Sequence, residues 1–361
     1  MKHMKRLAIY PQLRLRLAEG EQSLERLVAL LESVESHGNL QAASQQLGLS
    51  YRGAWGHLKD AEHAFGVPLL ETARGRGAQL TEFSRRLIWG EKRLLARLGP
   101  LLETMASELQ HELDEAVADL SPQLRVFASH GMAVAALAEF AARTEVPLDI
   151  SYRGSMEAVA ALARGECEMA SFHMPLGEFA KPVLAHYASL IRGKSYMLAD
   201  VASRSLGLIV ARGNPHGIRS FNDLPGSALR FANRERGSGT RIIFDLLLAK
   251  TGHGPASIHG VETVELTHAA VAAYIASGKA DAGLGIEASA AQFDLDFLPI
   301  LTERYSLIFP ADAMDNPSVA ALLAIMQSAA YQKAVAAIPG YSCSDTGKVT
   351  LLADLFPELA V

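Results

Sequence analysis

Two cysteines in 361 residues, Cys167 and Cys343, are too few and too far apart for a disulfide framework, a zinc site or a CxxC redox pair. Both are expected to be ordinary buried thiols. Long apolar runs are also missing, and no stretch approaches the ~20 residues that span a bilayer. The first twenty residues are basic but hold no uninterrupted apolar segment and no small-residue cleavage site, so no secretory leader and no membrane partner are expected. The expected compartment is the cytoplasm. There is no internal repeat and no low-complexity tract. With 49% hydrophobic and 20% charged residues, the composition excludes extensive disorder. A strong surplus of one charge is absent as well: the net charge is −5, which argues against wholesale coating of nucleic acid. Its distribution is uneven. Residues 1–112 hold 15 Lys and Arg against 13 Asp and Glu, so the N-terminal part is where a polyanion could dock.

What is present begins with helical periodicity. Ser23 to Glu35 places Leu24, Leu27, Val28, Leu31 and Val34 on one face, and Gly38 breaks the run. A short helix follows with Leu40, Ala43 and Leu47 inward, then the turn Gly48-Leu49. Ser50 can cap a third helix to about Phe65, with Ala54, Leu58 and Ala61 inside. Residues 66–80 alternate apolar and basic residues around Arg74-Gly75-Arg76-Gly77, which suits a two-stranded hairpin. Thr81 opens a long helix to Leu113 whose Leu87, Leu94, Leu98, Leu101, Leu102 and Met105 exceed what a small domain can cover. It is a candidate dimerisation element. Pro122 marks a boundary.

Beyond residue 123, strand-like runs (124–127, 148–152, 168–172) alternate with helical runs (131–143, 155–164), the rhythm of a mainly parallel α/β sheet. A second set starts at Leu206–Val210 and continues with helix 240–251, strand 263–266, helix 269–277 and strand 282–285. Strand 305–309 and helix 318–337 close the chain. Two α/β sets with a terminal return predict two lobes and a cleft.

The segment from Gly38 to Lys59 carries the strongest local pattern. A helix-turn-helix needs a small residue where its helices cross (Ala43), a glycine at the turn (Gly48) and apolar locks (Leu40, Leu47, Leu49, Leu58). The second helix would then offer Ser50, Tyr51, Arg52 and Trp55 to the major groove, with Lys59 nearer a backbone. A plain helical hairpin is the competing reading. On Ala42-Ala43, the run Gly48–Trp55, Pro68–Glu71, Gly75–Gly77 and Leu80-Thr81, residues 38–90 resemble the DNA-binding domain of ModE-type molybdate regulators, a winged relative of the LysR-type domain. The resemblance implies that Ser50, Tyr51, Arg52, Trp55 and Lys59 lie on the recognition helix. Arg74 and Arg76 would sit in the wing, against phosphate or the minor groove of an operator duplex. Trp55 has a second reading, as a packing residue.

The second pattern runs from Phe231 to Arg241. A strand ends, and Gly237-Ser238-Gly239-Thr240 leads into a helix. Amides at a helix start, two hydroxyls and the arginines Arg234, Arg236 and Arg241 make a site for an anion or carboxylate. A Gly-Ser turn that merely caps a helix is the alternative. Ser129-His130-Gly131, Gly154-Ser155 and the strand end at His173 fall at the carboxyl ends of strands, where ligands of open α/β sheets bind. No partner at metal-ligand spacing accompanies His130 or His173, so no metal is expected. No nucleophile–base–acid set stands out, so an enzyme is not expected.

Residues 124–310 resemble the domain family related to periplasmic molybdate-binding proteins that occurs fused to helix-turn-helix domains. The matching runs are Ser129-His130, Gly154-Ser155, Gly207–Ile218, Arg234–Arg241 and Thr267–Ala288. The small β-barrel oxyanion modules of ModE itself have no counterpart here. The expected fold is therefore α/β: a winged helix-turn-helix (1–80), a dimerisation helix and linker (81–121), and a two-lobed periplasmic-binding-protein-like domain (122–361). The resemblance implies a ligand-responsive, homodimeric or larger transcription regulator without a cofactor. Its effector, molybdate or tungstate, would be held by Ser129, His130, Gly154, Ser155, His173, Arg234, Ser238, Gly239, Thr240 and Arg241. A molybdenum-cofactor pterin or an organic acid is the alternative effector, and an enzyme using the cleft the rival class.

Overall fold

A computed structural model of the chain describes residues 7–18, 20–73, 77–116 and 124–357. The chain forms two compact units: residues 10–99, and the residues from Pro100 onward together with the segment ending at Ile9.

In the first unit, strands β1 (Arg14–Leu17) and β2 (Gly20–Ser23) pair antiparallel, a hairpin that the charged alternation of the sequence did not announce. Three helices follow, each started by a side-chain cap: α1 (Leu24–His37) by Ser23, α2 (Leu40–Gln46) by Asn39 and α3 (Tyr51–Phe65) by Ser50. The cap oxygens accept the otherwise orphaned N–H groups of Arg26, Ala42 and Gly53. Between α2 and α3 the chain passes through Gly48 at φ +66°, a left-handed conformation that favours glycine. Ala43 and Ala54 have no exposed surface and pack with Leu30, Val34 and Leu40, so small side chains set the close approach of the helices. Strands β3 (Leu70–Ala73) and β4 (Gly77–Leu80) form the wing. Gly38 anchors it, because its carbonyl accepts the Ala78 N–H at 2.8 Å. A Cβ on Gly77 would lie 2.2 Å from that oxygen, so only glycine fits. The wing tip, with Arg74 and Arg76, lies outside the described residues, as does Pro122.

Helix α4 (Glu82–Ala116) is one 35-residue element, longer than its leucine pattern predicted, and Pro100 lies inside it. In the second unit, β5 (Leu124–Ala128), α5 (Met132–Arg143), β6 (Leu148–Tyr152), α6 (Ser155–Arg164), β7 (Met169–Pro175) and α7 (Ala180–Ile191) build the first lobe. The long strand β8 (Tyr196–Val210) leads to β9 (Phe231–Arg234), α8 (Gly239–Lys250), β10 (Val264–Glu265), α9 (His268–Ala276), β11 (Ala282–Ile286) and α10 (Glu287–Gln292) of the second. Strand β12 (Asp296–Pro310) returns, followed by α11 (Pro317–Gln327), α12 (Ala329–Ala336) and short strands β13 (Tyr341–Ser342) and β14 (Val349–Leu351) on β8.

The sheet order is β10-β9-β11-β8-β12-β7-β5-β6. It is parallel within each lobe, but β8 and β12 run antiparallel to their neighbours, so the sheet is mixed rather than mainly parallel. These two 15-residue strands serve both lobes: Leu206–Val210 of β8 pair with β11, and Glu303–Ile308 of β12 pair with β7. The single helix expected over 318–337 is broken, because Ser328 turns extended (ψ 139°) and caps α12. Among the described residues no single helix is long and apolar enough to cross a membrane. Cys167 is buried, which pushes its thiol up to about 12.

Candidate functional site

Four strands of the second unit, β5, β6, β9 and β10, each run at their carboxyl end into the start of a helix. Those ends converge on one cavity of about 350 Å³. Its walls include Ser129, His130, Gly154, Ser155, His173 and Thr104 on one side, and Arg234, Gly237–Thr240, Thr267 and His268 on the other. The lobes approach closely across it: a Cβ on Gly154 would lie 3.8 Å from the Gly237 carbonyl oxygen, and one on Gly239 3.8 Å from the His173 Cβ.

The four helix starts differ in what they leave unpaired. Ser238 and Thr267 cap α8 and α9 with their hydroxyls, on Arg241 N–H and Ala270 N–H. The Ser238 hydroxyl also donates to the Glu235 carbonyl at 2.9 Å. Its proton is thus committed to the turn, and the donors that α8 offers a ligand are its first amides, at Gly239 and Thr240. At α5 and α6 the N-cap residues are Gly131 and Gly154, which have no side chain to cap with. Their first-turn amides retain their donors, and the positive ends of the helices favour an anion there.

The arginines are largely tied down. Arg234 donates to the Glu265 and Leu266 carbonyls and pairs with Glu235 at 2.9 Å, so it braces the end of β9 as well as facing the cavity. Arg241 stands outside the lining: its guanidinium lies on Asp245 one turn further along α8, at 3.0 Å, and over the Phe244 ring. The sequence carried that better partner four residues on. What Arg241 contributes at the turn is its amide, not its charge. Arg236 does line the cavity.

Three imidazoles border the cavity, and all are held neutral. Burial, then the charge of Arg234, pushes His130 down to about 3. Its ring stacks on Tyr152 at 3.9 Å, and the Glu103 carboxylate 3.7 Å away is too solvated to charge it. Burial lowers His173 and His268 well below the ordinary histidine value, aided by Arg204 and Arg234. The Nδ1 of His268, at the first position of α9, is buried without a hydrogen-bond partner. Periodicity gave no sign of His268 or Thr267 as lining residues; a Thr-His pair directly before a helix was the available signal. It gave none of Arg204 and Glu303 either, which sit opposite each other on β8 and β12.

In the first unit, Tyr51 (51% exposed), Arg52, Trp55 (48%) and Lys59 share the open face of α3. The Ser50 hydroxyl is taken up by the cap. Lys59 lies 5.5 Å over the Trp55 ring and pairs with Glu62 at 2.5 Å. Trp55 is therefore a surface residue rather than part of the helical core.

Comparison with known families matches residues 137–327 to a model described as "PBP superfamily domain", and residues 25–85 to "Bacterial regulatory helix-turn-helix protein, lysR family". The "Uncharacterized protein YvgK" of Bacillus subtilis (strain 168) is 31% identical over 207 residues, 57% of this chain and 66% of that one. The chain thus spans slightly less than two thirds of that relative. The "Molybdenum-pterin-binding protein MopA" of Rhodobacter capsulatus is 36% identical over 67 residues, 18% of this chain and 25% of that one. A solved structure of CbnR, a LysR family transcriptional regulator, is 20% identical with a TM-score of 0.38, covering 83% of this chain and 98% of that one.

Proposed function

We propose, from the premise that the chain belongs to the PBP superfamily and carries a lysR-family helix-turn-helix, that it is a transcription regulator gated by a small oxyanion. The observation that carries the reading is the convergence of four helix starts on one cavity, two of them capped by glycine. Amides, hydroxyls of Ser129, Ser155 and Thr240, and the neutral imidazoles of His130 and His268 suit a tetrahedral dianion such as molybdate or tungstate, whereas both ring nitrogens of His173 are taken up by Arg204 and Ser129. The name of the Rhodobacter relative supports a molybdenum-linked effector. Closure of the lobes on the ligand would bias the DNA-binding heads, paired as a homodimer through α4, between two operator affinities. Tyr51, Arg52 and Trp55 would read the major groove, Lys59 the backbone.

A second reading keeps the regulator and changes the effector to an organic anion, such as a pterin or a carboxylic acid. The cavity, about 350 Å³, falls within the roughly 300–1,000 Å³ typical of small-molecule pockets. Its rim includes the apolar side chains of Pro100, Leu101 and Leu266. Calorimetric titration with molybdate, tungstate, sulfate and a pterin separates the two. Retardation of the protein's own upstream DNA, with and without the bound ligand, tests the gating. Arg52→Ala should weaken specific retardation by roughly tenfold or more, as loss of a base contact does. Unchanged retardation would remove Arg52 from the reading surface, and no binding by any of the four ligands would reject the cavity as a site for a tetrahedral oxyanion or a pterin.

A further inference from the structure

Behind Ser129 lies a chain of buried groups, of which the sequence motifs contain only His173. The Arg204 Nε donates to Glu303 Oε1 at 2.5 Å, and its Nη2 faces His173 Nδ1 at 3.2 Å. His173 Nε2 faces Ser129 Oγ at 2.6 Å. Arg204, Glu303 and His173 are each no more than 4% exposed.

The direction of every hydrogen bond in this chain is forced. A guanidinium has only donors, so His173 Nδ1 accepts and carries no proton. The ring is neutral, since burial and the charges of Arg204 and Arg234 oppose a second proton. Glu303 Oε1 lies 3.9 Å from Nδ1, too far to hold a proton there. The one remaining proton of the ring is on Nε2, and it is donated to Ser129 Oγ. Ser129 therefore accepts from behind, and its own O–H is the donor left over on the cavity wall. Tyr305, tilted against the His173 ring at 4.1 Å, donates to the Ser129 carbonyl and holds the same residue from another side.

We propose that Arg204, clamped by Glu303, is a positioning residue that acts through His173 to fix the Ser129 hydroxyl as a hydrogen-bond donor toward the bound anion. The proposal rests on the reading of the cavity as an anion site and adds which atom of it is pre-set, and by what. Without the relay the Ser129 hydroxyl could rotate between donating and accepting, and an anion would have to order it on binding. His268, whose Nδ1 has no partner, is not pinned in this way.

Two measurements on the full chain test the proposal. The first needs no ligand: ¹⁵N spectra of the histidine rings should show His173 in the Nε2–H tautomer, and an Nδ1–H or doubly protonated ring overturns the relay. The second is a double-mutant cycle read by molybdate calorimetry. Ser129→Ala should weaken binding about tenfold to a hundredfold, as for a lost charge-assisted hydrogen bond. His173→Leu should weaken it similarly, and His173→Gln, whose amide N–H can replace Nε2–H, should stay within about threefold of the parent. In the Ser129→Ala background neither His173 change should weaken binding further. Equal losses in both backgrounds mean that His173 only supports the fold, and the proposal falls. If His173→Leu does not fold, the Gln variant and the spectra still decide. If the unaltered protein binds no molybdate, the anion-site reading fails for that ion, while the tautomer measurement still judges the relay.

Discussion

Removing the Glu303 carboxylate should expose how much of the sensor unit's stability rests on one ion pair. Arg204 and Glu303 are directly opposed in the β8–β12 ladder, 4% and 3% exposed, with 2.5 Å between Nε and Oε1. Breaking a buried pair by deleting one partner typically costs about 3–5 kcal/mol, because the other charge stays buried and uncompensated. Here the guanidinium keeps two weaker partners, Tyr341 OH at 3.4 Å and His173 Nδ1, which places Glu303→Ala near the lower figure, about 3 kcal/mol. For a unit of this size roughly 2–4 °C follow each kcal/mol, so its melting transition should fall by about 6–12 °C. The comparison is Asp294→Asn, which removes the charge opposite Arg212 while keeping a residue suited to the left-handed backbone there (φ +54°); both side chains of that pair are about three-quarters exposed. That pair is hydrated and screened, and its loss should cost less than about 1 kcal/mol. Scanning calorimetry at low and high salt reads both variants. The Glu303 effect should persist at high salt while any Asp294 effect fades. A Glu303→Ala melt within about 2 °C of the parent, or one as salt-sensitive as Asp294→Asn, would refute the desolvated pair.

Acid should destabilise the sensor unit earlier than its carboxylates alone would. His130 is depressed to about 3 in the fold, and His173 and His268 also lie well below the ordinary value. Between roughly pH 6.5 and 3 the unfolded chain binds protons at these rings that the folded chain refuses, so stability is full above about pH 6.5 and drops as pH falls. The slope is at most about 1.4 kcal/mol per pH unit per ring, less for His130 with its 27% exposed side chain. Urea titrations of His130→Gln should show a shallower acid limb, and a limb parallel to the parent's contradicts the assignment. The dimer proposal is tested on α4, where Met105, Leu109 and Leu113 are each 41–49% exposed. Light scattering should report a dimer that Leu109→Lys with Leu113→Lys converts to a monomer, and a monomeric parent would end that proposal.

The helix-turn-helix was legible because its determinants are local: three capping side chains, a left-handed glycine and two alanines at the crossing all fall between Ser23 and Ala54. Strand β8 was read only from Leu206 because Asp200 and Arg204 interrupt the apolar run before it, and both find buried partners distant in sequence, Ser306 and Glu303. Helix α7 was passed over because Pro182 sits in it, but in the first turn, where a missing N–H costs nothing. In the cleft, the strand-end glycines and serines could be named because turns have composition. Of the relay behind Ser129 only His173 could be named; Arg204 and Glu303 could not, since strand register alone brings them together. Arg241 shows the opposite error, a charge counted toward the site although a carboxylate one helical turn away holds it.

The way α4 meets β6 bears on how the sensor can be cut out and handled. Strand β6 is the last of the sheet, and an uncovered terminal strand is a template for aggregation. Thr104 donates to the Tyr152 carbonyl at 3.0 Å, and Ser107 bonds Asp149 at 2.6 Å and lies 3.1 Å from the Ser151 hydroxyl. Ser107 is buried there. A fragment begun at residue 122 would strip that cover, leave Asp149 and Ser151 without these partners and bare the strand. One begun at Pro100 keeps the seal, so the shorter fragment should precipitate under conditions in which the longer one stays dispersed.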